Sequence, residues 1–258
     1  MNRVFAERVR SREVVVGTFL NLASPLAAEI VGLAGVDWVV IDLEHGPGTE
    51  RDALAQMQAL AHTGAAPLVR VEGIDRARFL HALDMGAAGV VVPRLGSVED
   101  AERCVDFSRY SGSRGVARYN RSWQWGAATF AQHDVDAAVV CAVQIETRDA
   151  LDAVEEIAAV EGVDVLFVGP VDLAHSLGIS GGADNPELLR HAARVADAAA
   201  ASGKAAGMLV GSLEVAALYR DLGFTFLGCS SDGGLLTEGA RRVAVGLKAL
   251  REAKEMTA

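Results

Sequence analysis

Residues able to do chemistry stand directly after short β-branched runs. Asp42, Glu44 and His45 follow Val39-Val40-Ile41, Arg70 closes PLVRV, Pro93 and Arg94 follow GVVV, Glu146 closes VVCAVQIE, and Gly169-Pro170-Val171-Asp172 follows VDVLFV. Glu146 and Asp172 are 26 residues apart. They become neighbours if each ends its strand in consecutive strand–helix units, because adjacent strands run about 4.8 Å apart. Two carboxylates facing one point bind a hard divalent ion such as Mg²⁺ or Mn²⁺, which keeps positions open for water or substrate oxygens. The competing reading makes Asp172 a helix cap and Glu146 the partner of an arginine. Unpaired carboxylates in a dry cavity are costly without a cation, which favours the ion.

Gln144 shares a strand face with Glu146 by the two-residue period and points the same way, with an amide able to donate to a ligand of the ion. Arg70 shares its face with Leu68, and an inward guanidinium needs an anion, either a substrate oxyanion or a protein carboxylate. With Glu146 and Asp172 assigned to the ion, the substrate is expected. His45 is the base suited to neutral pH, and Asp42, three residues back, is placed to orient one ring nitrogen. His175, close behind Asp172, is the rival base. His62, His81 and His191 fall in helical segments, and His133 has no functional reading.

A 2-oxo acid chelating the ion through its carboxylate and keto oxygen would have its adjacent carbon acidified. Arg70 would then hold the developing oxyanion. His45, directly or through water, would take a proton from that carbon in condensation, or from the hydroxyl of a 4-hydroxy-2-oxo acid in cleavage. Schiff-base chemistry is excluded by position: Lys204 precedes the seventh strand, and Lys248 and Lys254 lie in the terminal helix. Cys141, at a strand beginning, is equally misplaced as a nucleophile.

These residues need a frame that brings strand ends together. Eight β-branched runs occur, at 14–20, 36–43, 67–71, 89–93, 139–146, 163–169, 205–210 and 224–229, with helical periodicity at 50–64, 75–86, 97–110, 148–160, 185–202 and 212–222. Such alternation without a linker predicts an α/β chain forming one (β/α)8 TIM barrel over residues 1–258, whose active site lies at the C-terminal strand ends. The alternative, a doubly wound open sheet, lacks a glycine-rich dinucleotide fingerprint after the first strand. Polar residues sort accordingly: strand starts carry no set comparable to that at the ends. One long connection, SGSRGVARYNRSWQWGAATF (111–130), exceeds what a compact domain needs and is expected to be functional or part of an interface.

Composition narrows the partners. Of 258 residues 51% are apolar and only 5% aromatic, which suits buried strands and alanine-rich helices, and a net charge of −10 argues against nucleic acid or an anionic membrane. Cys104, Cys141 and Cys229 lack the paired spacing of a zinc site and suit a reducing cytoplasm. The N-terminus has charges where a secretion signal has its apolar core, and no run approaches a membrane span.

The runs IDLEHGP, PLVRV, LDMGAAGVVVPR, QIET and VEGVDVLFVGPVDLA, in that order, make residues 14–240 resemble the metal-dependent (class II) pyruvate aldolases that include 2-dehydro-3-deoxyglucarate aldolase and 4-hydroxy-2-oxoheptanedioate aldolase. The resemblance implies a barrel of the phosphoenolpyruvate/pyruvate type in a hexamer, a trimer of dimers, with the last helix at a subunit interface. It implies cleavage of 4-hydroxy-2-oxo acids to pyruvate and an aldehyde through a metal-stabilised pyruvate enolate, with Mg²⁺, Mn²⁺ or Co²⁺ as cofactor. Carried onto this chain, it makes His45 the proton acceptor, Arg70 the transition-state stabiliser, Glu146 and Asp172 the metal ligands, and Gln144 with the backbone around Val171, including Gly169 and Pro170, the pyruvate contacts. Asp84 matches an aspartate that raises the basicity of the histidine. At a helix C-terminus, on the wrong face of its own barrel, Asp84 could act only across a subunit contact.

Two stretches depart from the family pattern: VARYNRSWQWG, with Arg118, Arg121, Trp123 and Trp125, and the apolar seventh strand end Met208-Leu209-Val210. Both leave the acceptor aldehyde open. Alternative functions are a related reaction on an activated carbonyl, as in citrate-forming synthases of siderophore biosynthesis or hydroxyacyl-CoA lyases, and a non-catalytic barrel that binds oxo acids.

Overall fold

The computed structural model describes residues 2–255 apart from 128 and 130, with side chains described as far as residue 251. Ala128 and Phe130 of the long connection therefore lie outside the described residues, as do Met1 and 256–258. The eight β-branched runs form eight parallel strands, β1 (Val15–Leu20), β2 (Trp38–Asp42), β3 (Ala66–Arg70), β4 (Gly89–Val92), β5 (Val140–Ile145), β6 (Val165–Val168), β7 (Ala205–Val210) and β8 (Phe226–Ser231). They pair in sequence order and close as β8 joins β1, giving the expected (β/α)8 barrel.

Alternate side chains divide the core, as strand pleating requires. Inside the barrel Phe19, Trp38, Val40, Leu68, Val91, Phe167 and Phe226 pack on one another, while Val39, Ile41, Val69, Val90 and Val143 face the helices. Trp38 stacks on Phe226 with ring centroids 4.2 Å apart. Glycine at 17 is obligatory for this, since a Cβ there would sit 2.1 Å from the Trp38 ring. The helix Arg3–Arg10 was not anticipated from periodicity; it closes the bottom of the barrel by burying Phe5, Ala6 and Val9 against the same cluster.

The helices at Glu50–Ala59, Arg76–Asp84, Val98–Ser108, Pro186–Ala201 and Leu213–Asp221 lie where predicted, whereas 148–160 breaks at Ala153 into two short helices. The terminal helix Asp232–Glu255 leaves Val243, Val245, Leu247 and Leu250 exposed. No helix among the described residues is long and apolar enough to cross a membrane.

The expectation that strand starts carry no comparable polar set is corrected. At the start of β6 the buried Asp164 accepts from Arg10 Nε (2.7 Å), Arg109 Nη2 (3.2 Å) and the Cys141 amide (2.8 Å), and Lys204 donates to the carbonyl of Val160. That carboxylate is matched by two guanidinium groups. Polar residues there hold the barrel together.

Candidate active site

Asp42 and Arg70 are cross-strand partners in the β2–β3 register. The Asp42 carboxylate takes Arg70 Nε at 2.9 Å and Nη2 at 2.6 Å, and Arg70 Nη1 lies 3.2 Å from Glu44 Oε2. The guanidinium also sits over the Phe19 ring, 5.0 Å from its centroid. Burial alone would lower the Arg70 pKa, but Asp42, Glu44 and Glu146 outweigh it and raise it. This corrects the expectation that Arg70 waits for a substrate oxyanion: two protein carboxylates already hold it, and Glu44 is the one sequence reasoning left without a role.

Asp42 is corrected with it. Its Oδ1 accepts from the backbone amides of Glu44 (3.1 Å) and His45 (3.2 Å), so it orders the turn that carries His45 and not the imidazole ring. The ring is two-thirds exposed, with Nε2 3.8 Å from Glu44 Oε2, beyond hydrogen-bond range. His45 lines a cavity of about 420 Å³ together with Phe19, Asn21, Asp42 and Arg70. His175 is exposed in the last turn of the helix Pro170–Leu177 and does not line it.

Glu146 follows β5 and is 4% exposed. Its Oε1 accepts from the Arg94 amide at 2.7 Å, and its Oε2 from Gln144 Nε2 at 2.7 Å. Arg94 presents that amide from a left-handed conformation, φ +56°, which is unfavourable for a residue with a Cβ. Gln144 points into the barrel as its strand period requires, and its own Oε1 is buried with no hydrogen-bond partner. Burial pushes the Glu146 carboxyl up to about 7; the Arg94 amide opposes this, Asp172 and Glu44 add to it, and Arg70 offsets part. Burial likewise raises Glu44.

Gly169 passes over this carboxylate so closely that a Cβ there would lie 2.5 Å from Glu146 Oε2 and 3.3 Å from Gln144 Nε2. The chain then enters the helix Pro170–Leu177, with proline in its first turn where no intrahelical donor is needed. Asp172 is exposed in that same turn, where the helix dipole favours a negative charge. Its charge acts on Glu146 and Glu44. Pro170 and Val171 line the cavity.

Asp84 is elsewhere. It ends the helix Arg76–Asp84 and accepts from Arg114 Nη2 at 2.9 Å, with the Arg114 guanidinium fully buried 4.3 Å over the Tyr110 ring. The long connection lies on that side too, because it joins a helix to the start of β5. Trp123 is buried and donates from Nε1 to the Tyr110 hydroxyl, while Arg121 donates to the carbonyls of Met57 and Met85 at two helix ends. Neither Arg121 nor Trp125 lines the cavity at His45; both line a separate one of about 500 Å³.

Cys141 is buried with its pKa pushed up to about 12, and Lys204 is at the bottom, so neither competes as a nucleophile at the mouth.

Residues 15–239 match the family described as HpcH/HpaI aldolase/citrate lyase. The chain is 36% identical over 250 residues to a hydroxypyruvate/pyruvate aldolase of Cupriavidus necator, covering 96% of this chain and 93% of that protein. It is 34% identical over 244 residues to a 5-keto-4-deoxy-D-glucarate aldolase of Shigella boydii, covering 93% and 94%. Among solved structures, an HpcH/HpaI aldolase/citrate lyase family protein from Burkholderia cenocepacia superposes with a TM-score of 0.91 at 35% identity, covering 96% of this chain and 100% of that one.

Proposed function

The chain belongs to the HpcH/HpaI aldolase/citrate lyase family, and from that premise we propose that it is a single-domain, divalent-metal-dependent aldolase that reversibly cleaves 4-hydroxy-2-oxo acids to pyruvate and an aldehyde. The family joins aldolases to citrate lyases. The two curated relatives named above, at 34% and 36% identity, are both aldolases, which supports this reading over one on an activated carbonyl.

The observation that carries the proposal is Glu146, a buried carboxylate hydrogen-bonded by neutral donors alone and pushed toward protonation chiefly by its burial. No group of three or more His, Cys, Asp or Glu side chains forms a metal cage among the described residues. Glu146 and Asp172 would hold the ion and leave most of its shell to water and substrate, the usual habit of Mg²⁺ and Mn²⁺. When bound, such an ion polarises the keto group of a chelating 2-oxo acid.

The protein's own groups do the rest. Gln144 Nε2 holds Glu146 in place, its unpaired Oε1 can accept from a water on the ion, and backbone amides around Val171 would donate to the pyruvate carboxylate. In cleavage His45 removes the proton of the 4-hydroxyl, the bond between carbons 3 and 4 breaks, and its electron pair passes into the 2-oxo acid to give the enolate. Arg70, held charged and in place by Asp42 and Glu44, stabilises the oxygen on which negative charge grows. Protonation of carbon 3 then yields pyruvate. Condensation runs the same steps in reverse.

Asp84 and the long connection enter this scheme only through a neighbouring subunit. The exposed apolar side chains of the terminal helix support an oligomer, as does a cavity of about 700 Å³ outside β8 and β1 lined by Val16, Leu213, Leu227 and Leu235. We assign it as the expected hexamer with a composite site. The three unpaired cysteines suit a cytoplasmic enzyme. Following metal-dependent pyruvate release from a panel of 4-hydroxy-2-oxo acids tests the reading; release insensitive to chelators, or none from any member, would refute it.

A further inference from the structure

The cavity beside His45 and Arg70 has a side that pyruvate handling does not use. Asn21, just past β1, lines it together with Ser230 and Ser231 at the end of β8, while Val171, Leu209 and Val210 make much of the remaining wall apolar. Asn21 is rigidly presented. Its backbone amide donates to Asp232 Oδ1 at 2.8 Å, and this buried carboxylate also takes the amides of Leu22 and Gly233. The side-chain Oδ1 of Asn21 is nonetheless buried with no hydrogen-bond partner. That oxygen packs toward Gly233 out of reach of solvent, and leaving such a group unpaired costs roughly 1–3 kcal/mol, a cost removed when the side chain turns to meet a ligand hydroxyl in the cavity. Glycine at 233 is what makes the room, since a Cβ there would lie 2.9 Å from that oxygen.

The neighbouring serines keep hydroxyl protons to donate. Ser230 holds a left-handed φ of +62° and its carbonyl is tied to the Thr18 hydroxyl at 2.9 Å. Ser231 Oγ accepts from the Gly234 amide at 3.1 Å, which leaves its proton to donate. Asn21, Ser230 and Ser231, from the ends of β1 and β8, thus line the same cavity as His45 and Arg70.

Resting on the aldolase reading, we propose that Asn21 is a specificity-determining residue that hydrogen-bonds a hydroxyl of the acceptor, so that the enzyme favours short 2-hydroxyaldehydes over unsubstituted aliphatic ones. A carboxamide both donates and accepts, which matches a hydroxyl. A site built for such a bond rejects an analogue without it because its own polar group stays unpaired.

The test is kcat/KM for condensation of pyruvate with glycolaldehyde and with acetaldehyde, in wild type, Asn21→Ala and Asn21→Ser, each checked for folding by circular dichroism. Wild type is expected to favour glycolaldehyde, and Asn21→Ala to lower the glycolaldehyde-to-acetaldehyde ratio about tenfold. Asn21→Ser should fall between them, and carries the test alone if Asn21→Ala does not fold. A wild type that prefers acetaldehyde, or a ratio unchanged or raised in the variants, overturns the proposal. Exchange of the pyruvate methyl protons with D₂O needs no acceptor; its absence in wild type would instead undo the aldolase reading itself.

Discussion

Asp42 and Arg70 stand opposite each other at the ends of β2 and β3, joined by two hydrogen bonds of 2.9 and 2.6 Å, and the same carboxylate caps the backbone of the His45 turn. One group therefore sets both the cation and the base. Asp42→Ala should strand a guanidinium that is only 11% exposed and cost roughly 3 kcal/mol of stability, the low end for breaking a buried pair because Glu44 remains. Urea unfolding measures it. Adding Arg70→Met to Asp42→Ala should recover most of that loss without recovering activity.

Glu146 predicts an unusual pH response. Its folded-state pKa of about 7 stands above the ordinary 4.5, so the folded protein holds a proton that the unfolded chain has released. The stability it contributes is fully present below the unfolded pKa and is lost as pH rises through the folded one. Metal-free protein should lose on the order of 3 kcal/mol between pH 4.5 and pH 8 from this group. Glu146→Gln should remove the trend, and Mn²⁺ should raise the Tm of wild type more at pH 8 than at pH 6.

Much of the frame is legible in the sequence because each strand is a β-branched run whose neighbours supply caps: Ser97, Thr147 and Ser212 accept from backbone amides at the starts of their helices. The helices missed are short. Arg3–Arg10 is amphipathic but only eight residues long, Pro25–Leu33 is nine residues and apolar on most sides, and the glycine and proline opening Pro170–Leu177 resemble a turn. Gln144, Glu146 and His45 follow from strand period and strand end. The Asp42–Arg70 pairing does not, because it depends on the register between two strands, and neither does the left-handed turn at Arg94 that aims an amide at Glu146. Glu44 was visible in the same run as His45, and only the geometry gives it a partner.

Close backbone approach makes Gly169 a sensitive position. Gly169→Ala would place a methyl group 2.5 Å from Glu146 Oε2, while its φ of −93° suits alanine. The variant should fold normally and lose at least tenfold in Mn²⁺ affinity, read by isothermal titration calorimetry. Arg94→Gly, which keeps both the amide and the left-handed turn, should bind Mn²⁺ as wild type does.

A composite site has its own signature. His45→Ala and Asp84→Ala should each be inactive, and mixing their subunits by unfolding and refolding should restore part of the activity, because some sites then receive an intact residue from each chain. Leu247→Asp with Leu250→Asp, both on the exposed face of the terminal helix, should lower the mass measured by light scattering and abolish activity together.

The central claim is that Glu146 and Asp172 hold an ion that lets His45 move a proton. Proton NMR of pyruvate in D₂O measures it most directly. Wild type with Mg²⁺ should exchange the methyl protons, and chelation, Glu146→Gln, Asp172→Asn or His45→Ala should each slow exchange by at least a hundredfold. Exchange that persists without metal or in those variants would contradict the account.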